Sequence, residues 1–218
     1  MRGLLTKDFL TIKNQGKSMI LILAIGIIMI ISGMNKTFVI GYLTFIASTF
    51  AVSTLSYDEY NHGYLYIFIL PIERKEYVVE KYLFSAMLSI AGWFGSGVII
   101  VGVSAIRGEQ IWSRDFGLQM LVMLLVNWVY LEFLIPIRLK YGAEKGKIVN
   151  FIILGAVFLV AMGIQFLMKH NQGLLDAVER MIRSLQPAVA CILTGMLILA
   201  AGLGSFCCSK KIMERMEF

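Results

Sequence analysis

Charge is scarce in this sequence. Asp, Glu, Lys and Arg make up 16% of its 218 residues, where about 25% is usual in a soluble domain. With 58% hydrophobic residues, that shortage excludes a disordered chain, a charged coiled coil and an ordinary soluble enzyme. Cysteine is also scarce. Cys207 and Cys208 are neighbours, and Cys191 lies sixteen residues earlier on the same expected helix, about 24 Å away. No disulfide framework fits that spacing, so the three read as small apolar side chains, with S-acylation of the adjacent pair as the alternative. No phosphate-binding G-x-x-x-x-G-K-[ST] loop is present. The nearest approach, GAEKGK at 142–147, is one residue short, and Ile148 stands where a hydroxyl would hold magnesium. The two histidines, His62 and His170, fall on opposite sides of the span map and cannot share a metal. No Ser/His/Asp or Cys/His set emerges either.

Long apolar runs are abundant. Mean hydropathy is +0.78. The runs do not alternate apolar with polar, which excludes an outer-membrane barrel. A helix crossing the hydrocarbon needs about 20 mostly apolar residues, and six segments qualify at about 18–34, 37–56, 82–106, 116–137, 148–168 and 187–208. The expected fold is therefore a single all-α transmembrane domain of six spans over 1–218. Residues 1–17 precede the first span with Leu5, Phe9 and Ile12 at helical spacing among Arg2, Lys7, Lys13 and Lys17. They read as an amphipathic helix lying on the inner leaflet. With the N-terminus inside, fourteen of the 20 Lys and Arg residues fall in inner segments. The positive-inside rule then puts both termini in the cytoplasm, so the net charge of +6 serves topology rather than nucleic-acid binding.

The loop at 57–81 is far longer than a link needs. With the residue after it, it reads YDEYNHGYLYIFILPIERKEYVVEKY. Asp58 and Glu59 suit a helix start; Tyr60, Tyr64 and Phe68 recur every four residues; Pro71 ends the run. A short helix with an apolar stripe is a docking element by shape, or else an amphipathic helix resting on lipid headgroups.

That stretch resembles a hallmark of small bacterial ABC (ATP-binding cassette) transporter permeases. The matching positions are Asp58, Glu59, Asn61, Leu70, Pro71, Arg74, Glu76, Lys81 and Tyr82. A second match lies in LIPIRLKYGAEKGKIVN, at Pro136, Lys140, Gly142, Lys145, Gly146 and Lys147, and the opening GLLTKDFL is similar to the family's start. Among such permeases the chain is similar to those exporting amphipathic peptides such as phenol-soluble modulins. The resemblance implies a permease without its own nucleotide site in the bacterial plasma membrane. It would pair with a second copy, with ATP and magnesium held by a separate ATPase subunit. It also implies that the loop after span 2 is a coupling helix on that ATPase, carried by Tyr57, Asp58, Glu59, Tyr60, Asn61, Tyr64, Phe68, Pro71, Arg74 and Glu76. A helix at 173–186 would sit at the outer surface before span 6. Without the resemblance, an ATPase-independent transporter or channel and a membrane immunity protein remain open.

Two groups of span residues are candidates for the translocation path of an amphipathic peptide or hydrophobic substrate. Span 2 offers hydroxyls, among them Thr44 and Ser48, which otherwise serve helix packing. Span 5 offers a soft stripe of Phe151, Phe158, Met162 and Gln165, which otherwise is bundle core. Glu132 is the clearest ionisable residue inside a span, a functional candidate by default. It lies about 8 Å from the inner end, close enough to snorkel or to pair with an inner cation.

Overall fold

The computed structural model describes residues 2–60, 63–69, 71–108, 114–170 and 187–216, and every regular element among them is helical. Helices α1 (Arg2–Asn14) and α2 (Gly16–Ile31) meet at a 63° bend. Helix α3 (Lys36–Glu59) starts at Asn35, whose side chain accepts from the Thr37 amide at 2.9 Å and so caps a free helix donor. The short α4 (Gly63–Ile69) and the long α5 (Arg74–Ile106) follow, then α6 (Arg114–His170) and α7 (Pro187–Arg215).

Among the described residues, four segments are long and apolar enough to cross a membrane: α3, α5, Phe116–Ile153 within α6, and Gly195–Arg215 within α7. The bent pair α1–α2 makes a fifth if it crosses as one. α3 is the centre of the bundle, touching α1, α2, α4, α5 and α6, while α7 packs on α5 and α6. Half of the apolar window of α3 is buried within the chain, against 22% for α5 and 17% for α7. The outer helices therefore present most of their apolar surface to lipid or to another chain. α3 and α5 come close because Gly92 has no side chain; a Cβ there would overlap that of Ala47.

Several expected boundaries shift. α5 begins at Arg74, a full two turns before the expected start at 82. α7 runs on to Arg215 and absorbs the charged segment expected as a tail. The basic stretch 138–147 is not an open loop. It is helical except at Gly142, where φ is 73° and ψ is −172°, a conformation that favours glycine. The chain folds back there. Asn150 Nδ2 donates to the Tyr130 hydroxyl at 3.3 Å, whereas twenty residues of continuous helix would separate them by about 30 Å. So α6 is two antiparallel arms, 114–141 and 143–170, joined by a single-residue hinge.

α1 also turns differently from its expected stripe. Leu4, Asp8 and Ile12 face inward, while Phe9 is 66% exposed. The segment expected as an outer helix, 173–186, lies outside the described residues, as do Asn61, His62 and Leu70.

The core has two main parts. One, at the end of the bundle that carries α4, gathers Leu55, Tyr64, Tyr77, Leu134, Leu139 and Met213. The other, at the opposite end, gathers Ile30, Ile40, Leu43, Ile100 and Phe116. Between them a polar seam crosses three helices: Asn127 Nδ2 donates to Ser48 Oγ at 2.7 Å and to Ser89 Oγ at 2.6 Å.

Candidate functional site

Among the described residues the buried charges Asp8, Asp58, Glu80 and Lys81 gather at the α4 end. α3 delivers Asp58 in its last turn, α5 delivers Glu80 and Lys81 in its second, and α1 delivers Lys7 and Asp8. Lys81 is 1% exposed and Asp8 fully buried. The Lys81 ammonium lies 2.7 Å from Asp58 Oδ2, pairs directly with Asp8 Oδ2, and donates to Thr54 Oγ1 at 3.2 Å. Lys7 closes the ring by pairing with Asp58 Oδ1, and it lies 3.2 Å from Asp8. The Tyr77 hydroxyl donates to Asp58 Oδ2 at 2.8 Å. Two lysines thus face two aspartates, and buried charges survive when they are paired and hydrogen-bonded in this way. Glu80, fully buried, lies 3.8 Å from Lys81 with no hydrogen bond to either oxygen among the described residues. The lock ties three helices into one body.

α4 rests on that body. Tyr64 is buried against Tyr77 with ring centroids 6.0 Å apart, and Phe68 stands 5.8 Å from Tyr77. Burial pushes the Tyr64 phenol above its ordinary range, so it stays neutral. The Arg74 guanidinium lies 6.0 Å from the centroid of the Phe68 ring and donates to the Met213 and Glu214 carbonyls at 3.0 and 2.8 Å. It thereby satisfies the last carbonyls of α7, which a cation suits. Glu59 accepts from the Ala143 amide and seats the hinge of α6; a Cβ at Gly142 would overlap its carboxylate. Glu76 is half-buried in the first turn of α5, and Pro71 is exposed in the bend before it.

The expected coupling residues therefore divide. Asp58, Glu59, Tyr64, Phe68 and Arg74 hold the chain's own elements together. Tyr57 and Tyr60 are exposed at 55% and 73%. Tyr60 is not part of α4: its backbone is extended at the end of α3, which breaks the stripe expected through Tyr60, Tyr64 and Phe68. The outward face of α4 is instead Leu65, Tyr66 and Ile69, with Tyr66 and Ile69 more than two-thirds exposed. Exposed Lys140, Lys145 and Lys147 lie on either side of the hinge that Glu59 seats.

Sequence reasoning missed Asp8 and the outward face of α4, and it gave Lys81 only as part of a motif. For Asp8 the signal was present: Leu4, Asp8 and Ile12 are four apart, so a helix burying the two apolar residues buries the acid between them.

The expected path residues also divide. Thr44 and Ser48 are fully buried and donate to the Ile40 and Thr44 carbonyls of their own helix at 2.7 and 3.0 Å. Ser48 Oγ also accepts from Asn127, so both hydroxyls are bonded inside the bundle. Phe151 and Met162, 73% and 54% exposed, face away from the chain. The side chains of Phe158 and Gln165 lie outside the described residues. Glu132 has no ion pair among the described residues, and its Oε2 is buried without a donor. Its backbone carbonyl accepts from Ser205 Oγ of α7. Among the described residues no group of His, Cys, Asp and Glu is placed to hold a metal.

Compared with known families, residues 3–214 match the model described as "ABC-2 family transporter protein". No curated protein and no solved structure matches the chain.

Proposed function

The chain belongs to the ABC-2 transporter family as a membrane-spanning permease subunit, and we propose that it exports an amphipathic peptide or hydrophobic molecule, driven by a separate ATPase that docks on α4. The observation that carries the docking site is the two-sided character of α4. Its inner side is fixed to Tyr77 and the charge lock. Its outer side exposes Leu65, Tyr66 and Ile69 beside Tyr60. Aromatic and aliphatic anchors on a rigid element are the usual centre of an interface. Lys140, Lys145 and Lys147 supply a positive rim that steers an acidic partner surface.

The same arrangement supports a mechanism. A displacement of α4 by the ATPase acts through Tyr64 and Phe68 on Tyr77, and so on α5. Through Asp58 it acts on α3 and α1 together, because the lock makes them one body. Through Glu59 it acts on the Gly142 hinge, and so on both arms of α6. The inner end then moves as a unit while the outer helices slide against lipid or a second copy of the chain. Six spans follow if α2, α3, α5, the two arms of α6 and α7 each cross. The α4 end, with its exposed lysines and both termini, then faces the cytoplasm of the bacterial plasma membrane. Bound ATP and magnesium belong to the ATPase in this reading.

The test is transport in proteoliposomes containing the chain and its ATPase. ATP-dependent movement of an amphipathic peptide, absent with either protein alone, is the expected result. Equal movement without the ATPase would contradict the reading.

A further inference from the structure

Two cavities flank the inner half of α6, and Glu132 lines both. The first, about 370 Å³, lies between α5, α6 and α7, with Tyr82, Leu83, Trp128, Leu131 and Phe206 in its wall. The second, about 410 Å³, lies between α6 and α7, with Lys140, Ser205 and Cys208 in its wall. Both fall within the range of small-molecule sites. The first has three aromatic side chains in its wall. Tyr82 and Phe206 meet edge-on at 5.7 Å, and the Tyr82 hydroxyl is held by Ser205 and Ser209 at 2.5 and 2.8 Å.

Two polar atoms at this place are unsatisfied. Trp128 Nε1 has no acceptor and Glu132 Oε2 no donor among the described residues. Trp128 and Glu132 are one turn apart on the same helix, so they share a face. Lys140, two turns further along, is exposed and about 12 Å away along the axis. A carboxylate inside a span is costly unless something compensates it. Aromatic walls around it attract a cation through their ring faces.

We propose that the first cavity, with Glu132 as its anion, binds the protonated amine of a transported amphipathic cation. The apolar body of that cation lies against Leu83, Leu131 and Phe206. This rests on the transport reading above and names the substrate's charge. Tyr82, Trp128 and Phe206 line the alkyl surface of the amine.

The test uses the full-length chain in phosphatidylcholine nanodiscs, with Trp93→Phe and Trp112→Phe so that Trp128 is the reporter. Brominated dodecylamine, brominated dodecanol and brominated dodecanoate are titrated as quenchers. The amine is expected to quench at least tenfold more effectively than the other two, as a charge-assisted contact warrants. Glu132→Gln is expected to remove that preference and Glu132→Asp to keep most of it, both with unchanged helix content. Equal quenching by amine and alcohol would make the cavity a lipid-chain groove and overturn the proposal. So would an amine preference that survives Glu132→Gln, or absence of quenching by all three. If phosphatidylethanolamine in the disc abolishes the amine effect, the site belongs to a lipid headgroup and the proposal fails. No ATPase is needed, so binding can fail while export stands, and can hold where export does not.

Discussion

Asp58 and Glu132 are both carboxylates in the α4 half of the bundle, and their surroundings are opposite. Both oxygens of Asp58 have counterparts: Lys7, Lys81 and the Tyr77 hydroxyl converge on them. Glu132 has no ion pair among the described residues, and a cavity opens on either side, one of them with the exposed Lys140 in its wall. The first environment suits a joint that must carry force without changing shape. The second suits a place where something from outside completes the charge. The difference is one of partners: one acid is paired on both oxygens, the other is left open to a cavity.

Removing a lysine from the lock should give the largest effect. Lys81→Met leaves Asp8 and Asp58 short of a cation, a loss of about 3–5 kcal/mol, seen as a marked fall in the unfolding temperature of the purified chain. Asp58→Asn should likewise destabilise, whereas Glu132→Gln, which neutralises an uncompensated charge, should leave that temperature unchanged or raise it. A fall for Glu132→Gln as large as for Asp58→Asn would erase the contrast between the two sites.

Next in size is the hinge. Gly142→Ala places a Cβ at positive φ and against the Glu59 carboxylate, costing about 1–3 kcal/mol. The same assay should show a smaller fall than Lys81→Met. Tyr77→Phe removes one donor from Asp58 and should cost about 1–3 kcal/mol. At the bottom of the scale, Lys210→Ala breaks only an exposed pair with Glu214 at 3.7 Å and should change stability by at most about 0.5 kcal/mol. A larger change would mean that this end of α7 has a partner beyond Glu214.

The helices were legible because apolar runs of membrane length are a one-dimensional signal. The turn at 142 was visible as a break between spans, but not its tightness, since GAEKGK reads as a loop until Glu59 is seen capping Ala143. The charge lock was not legible as a unit. It joins residues from α1, α3 and α5, and only the fold brings Lys7, Asp8, Asp58 and Lys81 together. A short helix, α4, does lie within the stretch 57–71 where one was expected, yet its faces were not legible. Four-residue spacing groups Tyr64 with Phe68, but spacing cannot say which face turns toward Tyr77. The stripe proved to be the inward one, and the outward residues Leu65, Tyr66 and Ile69 carried no distinguishing pattern of their own.

The central claim is that the outward face of α4 receives the ATPase while the lock behind it transmits the motion. The most direct measurement is co-purification of the ATPase with the Tyr66→Ala/Ile69→Asp double variant, alongside its unfolding temperature. The account predicts at least a thirtyfold loss of ATPase affinity, about 2 kcal/mol, with stability unchanged because both side chains are exposed. Full retention of the ATPase by a stably folded double variant would contradict it.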